Sequence, residues 1–308
     1  YADATKGWIP LNDDDVTDAP QQPPTQKAIF GYGDPTTGAS NIVNSSGVVQ
    51  ADVTLVGTKR YSQMGTSYGG DKGIFAYGNS AGGLLNSSNL VSNVGVIGTD
   101  VTGVGTAREK GAATTYGVNL AICCRGYAGG LVGMTNLVSN VGVLATDVTG
   151  VGSSNYAIMG VGYGGDKGLI CFGSSYSRVQ NLISNTGVVQ GDTTTAAAGR
   201  QEEYQGTIYG VDTAITAYGQ TASGYISTSN KISNSGVMAS DVTGVGTSRA
   251  AAGGAGYGGD KGIFGYGYNG SNLSMTNLVS NSGVVGTDVT GVGTVKGSCS
   301  CVEFSFSA

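Results

Sequence analysis

The chain has 308 residues, of which 56 are glycine and only 11% are charged, and its formal net charge is −5. This composition excludes a charge-rich disordered chain, and no segment collects the Lys and Arg that a nucleic-acid partner would need. The sequence has no histidine, which removes the commonest general base and the commonest metal ligand. Glycine interspersed with Val, Ile, Thr and Tyr favours an all-β protein with many tight turns.

Residues 1–26 differ from the rest of the chain because they are acidic, contain proline and show no repeat. We expect an N-terminal arm or linker here, followed by one folded unit over residues 27–308. The apolar side chains of Trp8, Ile9 and Leu11 are its candidate partner-binding residues. Two destinations remain open for this cluster, a neighbouring subunit or the chain's own folded body.

From residue 27 onward the chain repeats one unit six times. Each copy has a strand-like run that ends in glycine, such as KAIFGYG and DKGIFAYG, and the successive spacings of these glycines are 45, 48, 47, 46 and 48. The glycines are Gly33, Gly78, Gly126, Gly173, Gly219 and Gly267. A fixed period of this size indicates a repeat architecture in which neighbouring units bury each other's faces.

Within each copy the turn residues divide the unit into about four short strands. After the glycine run comes a segment such as NLVSNSGVV, in which Asn and Gly suit a tight hairpin turn. An aspartate then opens a glycine-rich turn, usually in the form DVTGVGT. The pattern predicts a four-stranded antiparallel sheet in every unit.

The two ends of the repeat region fit together. The first copy lacks the strand that precedes the glycine run elsewhere, and the chain ends in a spare alternating segment, GSCSCVEFSFSA. Lys296 precedes Phe304 by eight residues, the same separation as Arg108 from Tyr116. We therefore expect the C-terminal strand to pair beside Ile29, which would close six blades into a β-propeller without an open sheet edge.

These motifs resemble kelch-type β-propeller repeats. The resemblance depends on the aromatic strand ending in glycine, the Asn-Leu-Val segment, the later aspartate, and a basic residue in the preceding turn. The basic residues are Arg60, Arg108, Arg200, Arg249 and Lys296. The repeat sequence DKGIFGYG…TNLVSNSGVVGTDVTGVGT looks most like the kelch-like repeats of tailed-bacteriophage structural and tail proteins. That resemblance implies a virion or other extracellular location and protein partners within a larger assembly.

Two repeated residue types have both a structural and a functional interpretation. The six aligned aspartates could line a ring for a hard cation such as Ca²⁺, or each could cap its own turn, and turn capping is favoured. The aligned tyrosines could offer an aromatic surface for sugar, or they could pack between blades, and packing is favoured. We expect no metal and no cofactor.

The loops after the glycine run differ most between copies, so they are the candidate ligand face. Their exposed contact candidates are Tyr127, Tyr176, Arg178, Tyr225 and Tyr268. The function favoured by the sequence is a non-enzymatic structural or adhesion module without membrane insertion, since no apolar run approaches the roughly 20 residues that a spanning helix needs. The alternative is a carbohydrate-binding propeller that uses these loops for a cell-surface glycan. A hydrolase is disfavoured because a general base is missing.

Overall fold

The computed structural model describes residues 2–3, 7–8, 25–36, 38–202 and 205–308. Within these ranges the protein is all-β and contains several small antiparallel sheets. The helical element of this part of the chain is one turn of 3-10 helix, Ser174–Tyr176. No helix in the same ranges is long and apolar enough to cross a bilayer.

Six sheets of three or four strands follow one another along the chain, and we number them 1 to 6, with the strands of each in spatial order. Sheet 1 contains Ser300–Phe304, Lys27–Gly31, Ala39–Val43 and Val53–Thr54. Sheet 2 contains Met64–Tyr68, Lys72–Ala76 and Ser88–Val91. Sheet 3 contains Ala112–Tyr116, Leu120–Tyr127 and Leu131–Val138.

The remaining sheets have the same order. Sheet 4 contains Met159–Tyr163, Lys167–Cys171, Val179–Ile183 and Thr193–Thr194. Sheet 5 contains Thr207–Tyr209, Thr213–Ala217 and Ser229–Ile232. Sheet 6 contains Gly253–Tyr257, Lys261–Gly265 and Thr276–Val279. Three two-stranded hairpins complete the described strands: Ala2–Asp3 with Gly7–Trp8, Asn79–Ser80 with Gly83–Leu84, and Gln220–Thr221 with Gly224–Tyr225.

The fourth strand that the sequence predicts in every unit is complete in only two sheets. In sheets 1 and 4 it forms a two-residue strand, for example Val53–Thr54. In sheets 2, 3, 5 and 6 one bridge marks its place, as between Ser88 and Val101. The glycine-rich turn that follows interrupts the ladder soon after the aspartate, because glycine weakens a strand and favours a bend.

The C-terminal strand pairs antiparallel with the first repeat strand, as the sequence predicted. Val302 lies opposite Ile29, and Phe304 lies opposite Lys27. The last strand of the chain therefore supplies the first strand of sheet 1, and the N-terminal and C-terminal copies share one sheet.

The hydrophobic core consists mainly of six clusters, and each lies between consecutive sheets. One of them joins sheet 6 to sheet 1 through Tyr257, Ile263, Phe30 and Val43. Successive residues of the second strands are buried, as in Lys27–Gly31, and successive side chains point to opposite faces of a sheet. Both faces are therefore covered by neighbouring sheets, and a single sheet has no core of its own. Packing between sheets is therefore the main source of apolar burial.

A series of backbone hydrogen bonds links one residue of each copy to its equivalent in the copy before. Each N–H donates to the carbonyl of the preceding member at 2.7–3.2 Å, and the N–H of Ser62 donates to the carbonyl of Ser298. The members are Ser62, Lys110, Ala157, Glu202, Ala251 and Ser298. All six have φ between 49° and 57°, a left-handed conformation that is costly for residues with a side chain. The same unusual conformation in every copy indicates that these intersheet bonds override the local preference.

Candidate functional site

The repeated aspartate, asparagine, Thr and Arg of one copy form a polar cluster that we call the clamp. In sheet 2, Asn89 Nδ2 donates to Asp100 Oδ1 at 2.9 Å. The hydroxyl of Thr58, in the linker that enters the sheet, donates to Asp100 Oδ2 at 2.6 Å. Arg60 Nη2 donates to Asn89 Oδ1 at 2.7 Å and lies 3.2 Å from Asp100 Oδ1. The clamp thus fastens the incoming linker to the outer part of the sheet.

The guanidinium of the clamp is fully buried but well satisfied. Arg60 Nη1 donates to the backbone carbonyls of Ser87 at 2.9 Å and Tyr77 at 3.1 Å. Its cation lies 5.3 Å from the ring centre of Tyr32, which belongs to the preceding sheet. A buried charge is costly without such partners, so the clamp is a single unit in which each group depends on the others.

The other sheets repeat the Asn–Asp pair, with donor–acceptor distances of 2.8–2.9 Å. The pairs are Asn41–Asp52, Asn136–Asp147, Asn181–Asp192, Asn230–Asp241 and Asn277–Asp288. In sheet 1 the linker groups are Thr294 and Lys296, more than 240 residues away in sequence, and Lys296 Nζ donates to Asn41 Oδ1 at 2.7 Å.

The clamp corrects the expectation that each aspartate caps its own turn. Asp100 accepts its hydrogen bonds from the linker and from the third strand of the sheet, 42 and 11 residues away in sequence. The alternative of a cation ring also lacks support, because each carboxylate is engaged in its own sheet. No group of three or more acidic or cysteine side chains suited to a metal ion is found in the described part of the chain.

The hydrogen bonds of the clamp lower the pKa of the aspartate in sheets 1, 2, 3, 4 and 6. Burial tends to raise the pKa of Asp100, but the bonds from Thr58 and Asn89 and the charge of Arg60 outweigh it, so this pKa lies below its ordinary value. The pKa of Asp192 is lowered chiefly by the hydroxyl of Ser153 and the amide of Asn181. Ionised carboxylates strengthen the donor–acceptor bonds that hold the linker.

Sheet 4 builds its clamp from different positions. Asn155 occupies the place that Arg60 and Arg108 have in their copies, and the cation comes instead from Arg125 in sheet 3. Arg125 Nη2 donates to Asn181 Oδ1 at 2.8 Å and lies 3.7 Å from Asp192 Oδ1. Arg125 itself stands where Tyr77 stands in sheet 2, with the same positive φ.

Asn155 retains one of the arginine's contacts. Its Nδ2 donates to the backbone carbonyl of Phe172 at 3.1 Å, which corresponds to the bond from Arg60 to Tyr77 in sheet 2. In sheet 4, Arg125 and Asn155 together therefore replace the contacts that Arg60 makes alone in sheet 2. The sequence pattern shows a basic residue in the linker of five copies and does not point to Arg125, although the missing basic residue of the fourth copy was a usable signal.

No protein-family model matches this chain, and no curated protein shows significant similarity to it. The kelch-like and phage-like character of the repeats therefore stays a prediction from the motifs.

The repeated tyrosines act as packing residues, as the sequence analysis favoured. Tyr68, Tyr116, Tyr163 and Tyr257 are almost fully buried. The ring of Tyr68 lies directly against Gly142 in the hairpin turn of the next sheet, where an added Cβ would be 2.8 Å from it. Tyr257 of sheet 6 meets Gly47 of sheet 1 in the same way. The glycine of the hairpin turn thus serves intersheet packing as well as chain reversal.

Four of the five candidate ligand residues lie in the loops after the second strands, and Tyr127 is the last residue of the second strand of sheet 3. All five lie at the end of the sheets where the clamps lie. Tyr225 and Tyr268 come together, with ring centres 6.1 Å apart. Tyr127 pairs instead with Tyr156, a residue that the sequence analysis did not select, at 5.6 Å. Tyr176 lies in the 3-10 turn, and Arg178 is exposed while its Nη2 donates to the carbonyl of Thr195 at 2.6 Å.

The candidate partner-binding residues of the arm are only partly covered. Ile9 and Leu11 lie outside the described residues. For Trp8 the structure gives the backbone pairing with Ala2 in a short hairpin. The prediction about this cluster therefore stays a prediction.

A series of exposed valines lies after the third strands of the sheets, and we call it the valine rim. One valine after the glycine of each hairpin turn is 58–64% exposed, and these are Val48, Val96, Val143, Val188, Val237 and Val284. A second valine follows the clamp aspartate in five copies and is 45–55% exposed: Val53, Val101, Val148, Val242 and Val289. Scattered exposed valines are ordinary on a surface, but the same exposed pair in successive sheets forms a repeated apolar surface.

Proposed function

We propose that the six sheets close into a six-bladed β-propeller that serves as a non-enzymatic structural or adhesion module. The observation that carries the proposal is the hydrogen-bond series that returns to its start, from Ser298 back to Ser62. A second series runs from the glycine after each second strand to the carbonyl of the next linker, and it also returns, because Gly267 donates to Lys296 and Gly33 donates to Arg60. A row of sheets with two free ends would leave such a series open.

The valine rim supports protein binding as the role of this propeller. Every rim segment, such as Gly47–Thr54, contains one charged residue, the clamp aspartate, and that carboxylate is already occupied. Exposed sheet edges usually carry Lys or Pro to prevent association. A rim without such residues suits an uncharged protein surface, and the resemblance to phage tail proteins favours neighbouring subunits of a virion or other extracellular appendage as the partners.

Immunoelectron microscopy of the particles that carry this protein, combined with co-sedimentation, tests the proposal. Lysine at Val48, Val96 and Val143 should abolish co-sedimentation of the chain with particles, because charges would be introduced into an apolar contact. Lysine at Val211, which is 88% exposed and lies outside the rim, should leave co-sedimentation intact. Equal co-sedimentation of both variants, or a scattering profile of an elongated molecule, would contradict the proposal.

One observation favours carbohydrate binding as a second candidate function. The pair Tyr225–Tyr268 presents two partly exposed rings on one face of the molecule, and aromatic faces with hydroxyl tips suit sugars. A glycan array should then give saturable binding that Tyr225→Ala and Tyr268→Ala each remove. Binding that persists in both variants would exclude this pair as the sugar site.

A further inference from the structure

A cavity of about 150 Å³ lies between the first strands of the six sheets, and we call it the central cavity. It is much larger than the roughly 10–15 Å³ that a single water needs. Its wall includes one residue or more from the first strand of every sheet, among them Ser67, Thr115, Gly162, Ile208, Ala255 and Glu303. Two lining residues, Gln205 and Glu303, differ from the residues of the other copies. Neither belongs to the clamps or to the valine rim.

The first departure is Gln205, which spans the inner part of the cavity. Its Nε2 donates to the carbonyls of Gly65 at 2.8 Å and Cys301 at 2.7 Å. Its Oε1 accepts from the N–H of Cys301 at 2.6 Å and of Gly254 at 3.4 Å. A side chain of sheet 5 therefore bonds to the backbones of sheets 1, 2 and 6. All of its hydrogen-bonding capacity is used, so it forms a fixed floor.

Gln205 reaches this place because the fifth copy has an additional residue. Arg200 precedes Thr207 by seven positions, whereas Arg60 precedes the equivalent Thr66 by six. Gln205 pairs in parallel with Gly160 instead of joining the antiparallel ladder of its own sheet. An additional residue in a strand bends it and redirects a side chain.

The second departure is Glu303, the one charged residue at its register position. The other sheets have Ser67, Thr115, Gly162, Ile208 and Gly256 there. Glu303 Oε1 accepts from the N–H of Gly256 at 2.7 Å, and Oε2 accepts from the hydroxyl of Thr25 at 2.9 Å. A carboxylate has about four lone-pair sites, so it can accept further bonds from the cavity.

The charge of Glu303 is not balanced within the described chain. None of the ion pairs between described residues involves it. Burial raises its pKa, although the Gly256 N–H and the Thr25 hydroxyl act in the opposite direction. Lys167, which also borders the cavity, is paired with Asp166 at 2.6 Å. Burial therefore disfavours the ionised form of Glu303, and a cation that enters from solvent and lies beside the carboxylate favours that form.

We propose that the central cavity binds a small cation at the Glu303 carboxylate, above the floor formed by Gln205. An organic ammonium group or a metal ion supplies the same chemistry. The cavity is bordered by the carboxylates of Glu303 and Asp212 and by hydroxyl oxygens such as that of Thr115. Asp212 Oδ2 already accepts a hydrogen bond from Asn234 Nδ2 at 3.0 Å, so Glu303 is the carboxylate that takes the cation. The proposal does not depend on a protein partner or on the rim.

Calorimetric titration of the whole chain with methylammonium chloride and, separately, with calcium chloride tests the site. We expect saturable binding of at least one probe, and the probe that binds identifies the source of the cation. Glu303→Gln keeps the shape and both hydrogen-bond partners, and it should weaken binding about tenfold or more through loss of the charge. Glu109→Gln is the matched control, because it removes a buried carboxylate that does not line the cavity, and it should bind like the parent chain.

A second variant tests the site without removing the carboxylate. Thr115→Lys introduces a tethered ammonium group from the cavity wall, and it should abolish binding of the probe while Glu303 is retained. Thermal unfolding without probe shows whether each variant is folded. The absence of binding of both probes to the parent chain, or equal binding by the parent and a folded Glu303→Gln variant, would overturn the proposal.

Discussion

The clamps of sheets 2 and 4 both place a guanidinium beside the Asn–Asp pair, but the two arginines come from different positions of the repeat. In sheet 2 the cation comes from the linker through Arg60, which lies beside an aromatic ring of the preceding sheet. In sheet 4 the preceding sheet supplies the cation itself through Arg125, and Asn155 takes the linker position. The comparison teaches that both sheets keep a guanidinium beside the Asn–Asp pair, and that the position in the chain which carries it can change.

The largest effect on the free energy of unfolding is expected when Arg125 and Asn155 are changed to the residue types that sheet 2 has at the same positions. Arg125→Tyr should destabilise the fold by about 2–3 kcal/mol, because it leaves Asn181 and Asp192 without their cation. Asn155→Arg alone should cost about 1–3 kcal/mol by crowding a second guanidinium against the first. The double variant restores the arrangement of sheet 2, so urea unfolding should show most of the loss recovered.

The matched control for this exchange is Arg178→Tyr, since Arg178 is an exposed arginine in the loop before the third strand of sheet 4. It should change the free energy of unfolding by less than about 1 kcal/mol. If the double variant loses as much stability as the two single variants together, the two positions do not share one function.

A smaller effect is expected at the glycine that precedes the linker hydroxyl. Gly105 has φ +77°, and an added Cβ would collide with Asp147 and approach Asn136 Nδ2 to 2.9 Å. Gly105→Ala should therefore cost about 2 kcal/mol. Sheet 5 has Ala197 at this position, and Ala197→Gly should cost at most about 1 kcal/mol. Thermal unfolding of both variants measures the contrast, and equal losses would show that backbone conformation is not the cause.

The smallest expected effect is a gain in stability in sheet 5. Ala198 replaces the linker Thr or Ser there, and its N–H reaches both oxygens of Asp241 only at 3.3 Å. In sheet 2 the corresponding Thr58 N–H distances are 3.1 and 3.0 Å, and a hydroxyl bond is added. Ala198→Thr should raise stability by about 0.5–1 kcal/mol. Ala198→Val has the same shape without a hydroxyl, and an equal gain from it would refute the explanation.

The sequence by itself determined the six units, their strand order and the pairing of Ser300–Phe304 with Lys27–Gly31. The strand order within a unit follows from turn chemistry and residue alternation, which act over a few neighbouring residues. The pairing of the two ends follows from comparing the copies, because the first copy lacks a strand and the last copy is followed by a spare one. It also favoured the correct role for the repeated tyrosines, because regular spacing points to packing. The partners of the clamp aspartates were predicted wrongly, since their own turn was the nearest donor in sequence.

Only the tertiary structure decided which side chains of the clamps and the central cavity meet across distant parts of the chain. Arg125 contacts Asn181 across 56 residues, and Gln205 contacts Cys301 across 96. Such contacts depend on which sheets are neighbours and on where one additional residue turns a side chain, and no local pattern encodes either. The missing basic residue of the fourth copy and the additional residue of the fifth copy were visible in the sequence, but their meaning required the geometry of the neighbouring sheets.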